Sequence, residues 1–304
     1  MSDSLLKISV CVITFNHEKY IRQAIENILM QKGNFKVELI IADDASTDQT
    51  SEIIQNILKN KPCKHLIRYF RHSNNLGMSK NFFWALKKCS GKYIAFCEGD
   101  DYWTDVYKLQ KQVDFLEKNR LYSLIFTRFK LLYEKDNILK NDSYDEFFIT
   151  RDFIELDIEN LEKGWHLGTQ TMMFRKNDFD FNGNEEYKYF RDVHLFYYFL
   201  LNGKIAIMNS YTSVYRIHNN GVYSSKSYLE KTEIGLKCYQ ELYSNNKEVR
   251  SLRNKYYKYL FFYSDALIKS GKYSKSISII FRLFFESYSV KYLLLYFKNT
   301  IKIK

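Results

Sequence analysis

Four short apolar runs recur through the first hundred residues, and a helix-patterned stretch follows each of the first three. The runs are ISVCVITF (8–15), KVELIIA (36–42), HLIRYF (65–70) and KYIAFC (92–97). Apolar and β-branched side chains in runs of this length suit strands buried on both faces. After the first run, Ile21, Ala24, Ile25, Ile28 and Leu29 share one helical face within residues 17–31. After the second, Ser46 or Asp48 is placed to cap a helix carrying Ile53, Ile54, Ile57 and Leu58. Asn81 to Lys88 reads as a third helix. Such alternation predicts βαβ units: a Rossmann-like, mostly parallel sheet with helices on both faces.

Parallel strands end on a common edge, and α/β sheets bind ligands there. The polar clusters fall at those ends: TFN (14–16), DDASTD (43–48) and EGDD (98–101). Glu98, Asp100 and Asp101 put three carboxylates within four positions, where like charges repel. A divalent cation neutralises such a group. Mg²⁺ or Mn²⁺ takes hard oxygen ligands, typically one or two carboxylates plus substrate phosphates. A solvated acidic turn is the plain alternative, and the two neighbouring polar strand ends favour the site.

Composition sets outer bounds. With 304 residues, 46% hydrophobic and 17% aromatic, the chain has enough apolar material for one large globular domain or a domain with an extension. Its net charge of +11 is uneven, because residues 226–304 carry 16 Lys+Arg against 6 Asp+Glu while residues 1–225 are close to neutral. Two regions with different tasks are expected: a nearly neutral domain over 1–225, with halves of about 1–118 and 119–225, and a basic helical region over 226–304. Five cysteines without a CxxC pair suit a reducing compartment better than a disulfide framework or zinc site. No signal-peptide pattern opens the chain, and the most apolar segment, 276–297, is broken by Arg282, Glu286 and Lys291. No transmembrane helix is expected, and the expected location is cytoplasmic.

The middle of the chain mixes signals. Residues 105–119 read as an amphipathic helix, 122–133 and 166–176 as strands, 187–204 as a helix stopped by Gly203, and 213–224 as a strand running into a turn.

The segments VCVITFNHEKYIRQAIENILMQ, ELIIADDASTDQT, NNLGMSKNFFWAL and GKYIAFCEGDDYW, in this order and spacing, resemble the family 2 glycosyltransferases of the GT-A fold. The resemblance is dense over residues 7 to about 118 and returns at GTQTMMFRK, RDVHLFYYFLLNGK and YRIHNNGVYS. It implies an inverting, metal-assisted transfer of a sugar from a nucleotide-sugar, a UDP-sugar being the expected donor, to an acceptor hydroxyl of a glycan or glycolipid. EGDD stands at the family's DxD position, so Asp100 and Asp101 are the implied metal ligands, with Glu98 beside the ribose and metal. Glu replaces the family's usual Asp at 98 and reaches further. Thr14, Phe15 and Asn16 would line the base and ribose, where the family often has Tyr in place of Phe15. Asp44 matches the acid that accepts a hydrogen bond from uracil, while Asp48 is mostly a helix cap. Asn75 and Gly77 stand where the family closes the nucleotide pocket. Asp192 matches the catalytic base, with Arg191 replacing the family's Glu. His218 would be a further metal ligand and Arg216 a phosphate contact. Trp165, His166 and Arg191 are the acceptor-side candidates.

Three other readings compete. A sugar nucleotidyltransferase would use the same metal and diphosphate without a base at 192. A non-catalytic scaffold would bind carbohydrate or a partner enzyme, against which the intact acids at 44, 100 and 192 argue. Lys and Tyr interleave in the basic region, but no nucleic-acid-binding motif occurs. Amphipathic basic helices suit an anionic membrane surface at least as well, which would bring the chain to the inner face of the plasma membrane. A solvated helical bundle that packs on the catalytic domain, or forms a homodimer, is the plainer alternative.

Overall fold

The computed structural model describes residues 6–60, 66–159, 161, 167–180, 187–287, 289, 292 and 294. The four predicted runs become strands β1 (Leu6–Thr14), β2 (Phe35–Asp43), β3 (Leu66–Arg71) and β4 (Tyr93–Glu98). Helices α1 (Ile21–Leu29), α2 (Thr50–Asn60) and α3 (Met78–Lys88) alternate with them. The strands pair in parallel in the order β3-β2-β1-β4. Ile8, Val10, Val12, Leu39, Ile41 and Ala95 of the sheet bury against Ile21, Ile25 and Ile28 of α1 and Ile54 and Ile57 of α2. Each such aliphatic side chain contributes roughly 1.5–3 kcal/mol on full burial.

The sheet continues past β4 through β5 (Tyr102–Trp103), β6 (Tyr122–Tyr133), β7 (Ile138–Asn141), β8 (Phe153–Leu156), β9 (Met173–Arg175) and β10 (Lys204–Ile217). Its full path is β3-β2-β1-β4-β9-β6-β10-β5, with β7 on β6 and β8 on β10. β6 and β10 are parallel, while β5, β7, β8 and β9 run antiparallel to their neighbours. Helix α4 (Lys108–Lys118) follows β5, and α5 (Asp192–Asn202) leads directly into β10.

Three expectations shift here. The helix expected over 187–204 starts only at Asp192. The strand expected over 166–176 is confined to Met173–Arg175, preceded by a single 3-10 turn at Thr169–Thr171. The late strand begins nine residues earlier than the expected 213, at Lys204, and stops at Ile217. Register shifts against β6 between Met208, Tyr211 and Ser213 break the two-residue alternation and hide its first half in the sequence.

The chain divides into two compact units: residues 1–157, 165–186 and 195–218 form the first, and 158–164, 187–194 and 219–304 the second. In the second, α6 (Tyr228–Asn245), α7 (Arg250–Lys269) and α8 (Tyr273–Ser287) pack in sequence. Ser227 and Glu230 form a reciprocal cap at the start of α6. Gly235 lets α7 approach, since a Cβ there would stand 2.0 Å from the Tyr259 ring. Ser264 and Ser276 face each other at 2.8 Å between α7 and α8.

Candidate active site

The parallel register sets Thr14 beside Asp43, Asp43 beside Arg71, and Ile13 beside Glu98. The three polar strand ends therefore share one edge of the first unit. Beyond Thr14 the chain turns through Asn16, whose φ of 57° lies in the left-handed region that Asn tolerates. The turn is tied to its neighbour: the Asn16 amide donates to Ser46 Oγ at 3.0 Å, and Asn16 Oδ1 accepts from the Thr47 amide at 2.8 Å. Phe15, at the tip, is 40% exposed and leaves a ring face open for stacking.

Asp44 is buried, and its carboxylate accepts from the amides of Leu76 (2.7 Å) and Gly77 (2.9 Å). Asn75 Nδ2 donates to the Asp44 carbonyl at 3.2 Å. Asp44, Asn75 and Gly77 thus form one turn, with Gly77 at φ 85°. A carboxylate offers about four lone-pair sites, so two remain for a ligand N–H. Asp48 is the cap, accepting from the amides of Thr50 (2.9 Å) and Glu18 (3.1 Å). Ser46 instead serves the Asn16 turn.

At the end of β4 the acidic turn is held from three sides. Glu98 accepts a short hydrogen bond from the Thr169 hydroxyl. Gly99 leaves no room for a side chain, because a Cβ would stand 2.7 Å from Thr14 Oγ1 and 2.9 Å from His17 Nδ1. Asp100 Oδ2 lies 3.1 Å from His218 Nε2 and 3.6 Å from His17 Nε2. Burial works against the Asp100 charge, yet the two imidazoles keep its carboxyl below its ordinary value. Burial lowers His17 in turn, against the pull of Asp100. For Asp101, burial and then the Asp100 and Glu98 charges push the carboxyl well above the usual range. Its Oδ1 accepts from the Arg216 amide at 2.8 Å, while its buried Oδ2 has no hydrogen-bond partner among the described residues.

Arg216 is a strut as well as a charge. Its guanidinium donates to the Asp100 carbonyl and to Gln23 Oε1, and it lies 4.4 Å from the Tyr102 ring centroid and 5.0 Å from that of Tyr20. Its side chain is almost wholly buried, and its nitrogens are spent within the protein. The phosphate contact expected of it is accordingly not what its present bonds serve.

Do these groups fit a divalent cation? Among the described residues, no group of three or more His, Cys, Asp or Glu side chains stands ready to enclose a metal. They do fit an ion held by few protein ligands. Neighbouring ligands about 2.1 Å from one ion are about 3 Å apart, as Asp100 Oδ2 and His218 Nε2 are at 3.1 Å. Asp101 adds a buried oxygen whose desolvation a cation or a proton offsets. The imidazole donor suits Mn²⁺ more than Mg²⁺.

Arg191 and Asp192 belong to the second unit. Asp192 is exposed at the first residue of α5, where the helix dipole favours its negative charge, and its Oδ1 accepts from the Val193 amide at 3.0 Å. Its charge is felt by Tyr223, whose hydroxyl is raised first by burial and then by Asp192. Trp165 and His166 lie outside the described residues. Sequence reasoning did not assign His17, Gly99 or Thr169 to the site. His17 follows the first strand end by three residues, and Gly99 is the glycine within EGDD; both carry a signal in the sequence. Thr169 falls in GTQTMMFRK, where the resemblance returns, but nothing local ties it to Glu98, 71 residues away.

A family model described as Glycosyl transferase family 2 matches residues 9–181. An uncharacterized protein of Mycobacterium tuberculosis is 33% identical over 217 residues, which cover 71% of this chain and 60% of that protein. The chain thus spans about three fifths of the length of these mycobacterial relatives. WfaP of Escherichia coli, named as a UDP-Glc:α-D-GlcNAc-diphosphoundecaprenol β-1,3-glucosyltransferase, is 29% identical, covering 48% of each chain. Among solved structures, residues 1–349 of S. aureus TarS in complex with UDP-GlcNAc superpose with a TM-score of 0.63 at 19% identity, covering 90% of this chain and 81% of that one. The mannosyltransferase PcManGT of Pyrobaculum calidifontis, in complex with GDP-Man and Mn²⁺, gives a TM-score of 0.62 at 13% identity, covering 96% and 79%. At these identities the likeness is one of fold, and the fold is GT-A.

Proposed function

The chain belongs to glycosyl transferase family 2, and from that premise we propose that it transfers a sugar, with inversion, from a UDP-sugar to a hydroxyl of a growing glycan or lipid-linked acceptor. The observation that carries this reading is the edge where Asp44, Phe15, Asp100 and His218 come together at the ends of parallel strands. UDP-sugars as the donor class rest on the UDP-GlcNAc bound to TarS and on the UDP-Glc in the name of WfaP.

In this reading the Phe15 ring stacks on the base, and the free lone pairs of Asp44 accept from its N–H. Asp100 and His218, with Asp101 beside them, would hold Mn²⁺ or Mg²⁺, which would supply neutralisation of charge on the departing diphosphate. Asp192 removes the acceptor hydroxyl's proton as that oxygen attacks the anomeric carbon and the sugar–phosphate bond breaks. The proton ends on Asp192, the sugar on the acceptor oxygen, and the electron pair on the nucleoside diphosphate. Arg191, Trp165 and His166 are proposed to meet the acceptor. The catalytic domain is proposed to end near residue 225, with 226–304 serving an anionic membrane surface on the cytoplasmic side. No helix among the described residues is long and apolar enough to cross a membrane.

A donor screen tests the proposal. Release of nucleotide is followed from UDP-, GDP- and TDP-sugars with Mn²⁺ or with chelator, for the native chain and for Asp100→Ala and Asp192→Asn. Release from a UDP-sugar that chelation and Asp100→Ala abolish, and that Asp192→Asn lowers steeply to a residual rate, supports it. Turnover of a GDP-sugar, or turnover unaffected by chelation, overturns the donor or the metal assignment. No nucleotide-sugar binding at all favours a scaffold.

A further inference from the structure

The five residues before α5 are not helical, and side chains hold their main chain from both sides. Glu241, on α6, accepts from the amides of Lys188 (2.9 Å) and Tyr189 (3.0 Å), one on each carboxylate oxygen. One turn earlier on the same helix, Cys238 Sγ meets the Tyr189 carbonyl at 3.2 Å. His194 Nδ1 accepts from the Arg191 amide at 3.2 Å. That bond fixes the ring's proton on Nε2, which stands 3.3 Å from Glu241 Oε2, off the line of a straight hydrogen bond. The His194 ring is wholly buried, with Tyr187 at 4.5 Å and Phe190 at 5.8 Å between centroids. Three consecutive elements of the second unit, the 188–191 segment, the first turn of α5 and α6, are therefore joined through one carboxylate and one imidazole.

The residue that follows this joint is Asp192. We propose that Glu241 and His194 are positioning residues for Asp192, fixing the main chain from which that carboxylate projects. This rests on the reading of Asp192 as the base. A base misplaced by an ångström loses rate steeply, on the order of a hundredfold. A clamp on the preceding backbone, made by a buried imidazole and a half-buried carboxylate and not by a loop, supplies that precision. It also gives the C-terminal helices a part in the chemistry, since Glu241 lies beyond residue 225. Simple packing of α6 would need neither a carboxylate spread over two amides nor a tautomer set by a third.

The test uses the full chain and the UDP-sugar that the donor screen identifies, with nucleotide release as readout. Glu241→Ala and His194→Gln are expected to lower kcat tenfold to a hundredfold and leave the donor KM and UDP affinity unchanged. Glu241→Gln, which keeps one acceptor oxygen, is expected to restore part of the rate. Combined with Asp192→Asn, neither should reduce kcat further, because both act through the same carboxylate. Amide hydrogen exchange over 187–194 should accelerate in both variants, and this readout needs no turnover. Unchanged kcat in folded protein, a multiplicative loss in the double variants, or a donor KM that shifts with kcat overturns the proposal. So does unchanged exchange over 187–194. If Glu241→Ala does not fold, His194→Gln carries the same test. Full activity of Asp192→Asn would sink the base reading itself, whatever the exchange reports.

Discussion

At the scale of single residues, the site turns on close approach. Gly99 sits where the two innermost strand ends meet, and any side chain there must displace Thr14 or His17. Gly99→Ala is expected to cost about 1–3 kcal/mol of stability, the range for forcing a methyl into a packed site. On the base-stacking role proposed for Phe15, it should also weaken UDP binding, because Thr14 leads directly into that residue. Thermal unfolding with a UDP titration checks both, and unchanged affinity would show that the turn accommodates the methyl group. Residue roles were legible where the chain itself supplies the partner. Asp48 reads as a cap from its place just before the second helix, and the structure bonds it to the Thr50 amide. The clamping of Asp44 by Leu76 and Gly77 joins residues 32 and 33 positions apart, so no local pattern announces it.

At the scale of elements, helix α4 illustrates what a polarity pattern misses. The sequence marks residues 105–119 only as an amphipathic helix; in the structure Lys108 and Gln112 are fully buried beside the apolar Leu109, Val113 and Leu116. Lys108 Nζ donates to Gln112 Oε1 at 2.8 Å and lies 4.1 Å from the Trp103 ring centroid. Burial lowers this amine to about 7. The unfolded chain, with an ordinary lysine near 10.4, therefore binds more protons between pH 7 and 10. Stability must rise with pH through that window. Lys108→Met should flatten the rise and raise the melting temperature at pH 6.5. Unfolding midpoints at pH 6.5, 8 and 9.5 for both chains measure this, and parallel curves would rule it out. Strand β10 is the converse case: its bulges hid its first half, although the parallel half of the sheet was readable throughout. The buried strands β1, β2 and β4 advertise themselves by unbroken apolar runs, and a bulged strand does not.

At the scale of the whole molecule, charge and exposed apolar surface concentrate at the C-terminal end. Along α8, Tyr273, Ile277, Phe281 and Phe285 recur every fourth residue and are each about half exposed or more. This stripe belongs to a region with 16 Lys+Arg against 6 Asp+Glu. An aromatic stripe in a basic setting suits shallow insertion among anionic headgroups. The native chain should co-sediment with phosphatidylglycerol vesicles at low salt and release as salt rises. Phe281→Ser with Phe285→Ser should weaken this binding, and failure of the native chain to bind at low salt would remove the idea. One further consequence concerns the order in which the chain is made. The acidic turn is completed by Arg216 and His218, which follow Asp100 by 116 and 118 residues. The chain is synthesised from its N-terminus, so the first four strands are made long before these two residues emerge. Until then the nascent protein carries three crowded carboxylates with no strut and with one imidazole, His17, in place of two. A translation product that stops short of residue 216 would therefore lack both the strut and the second imidazole of this edge. The last strand in chain order thus also leads to the groups that complete it.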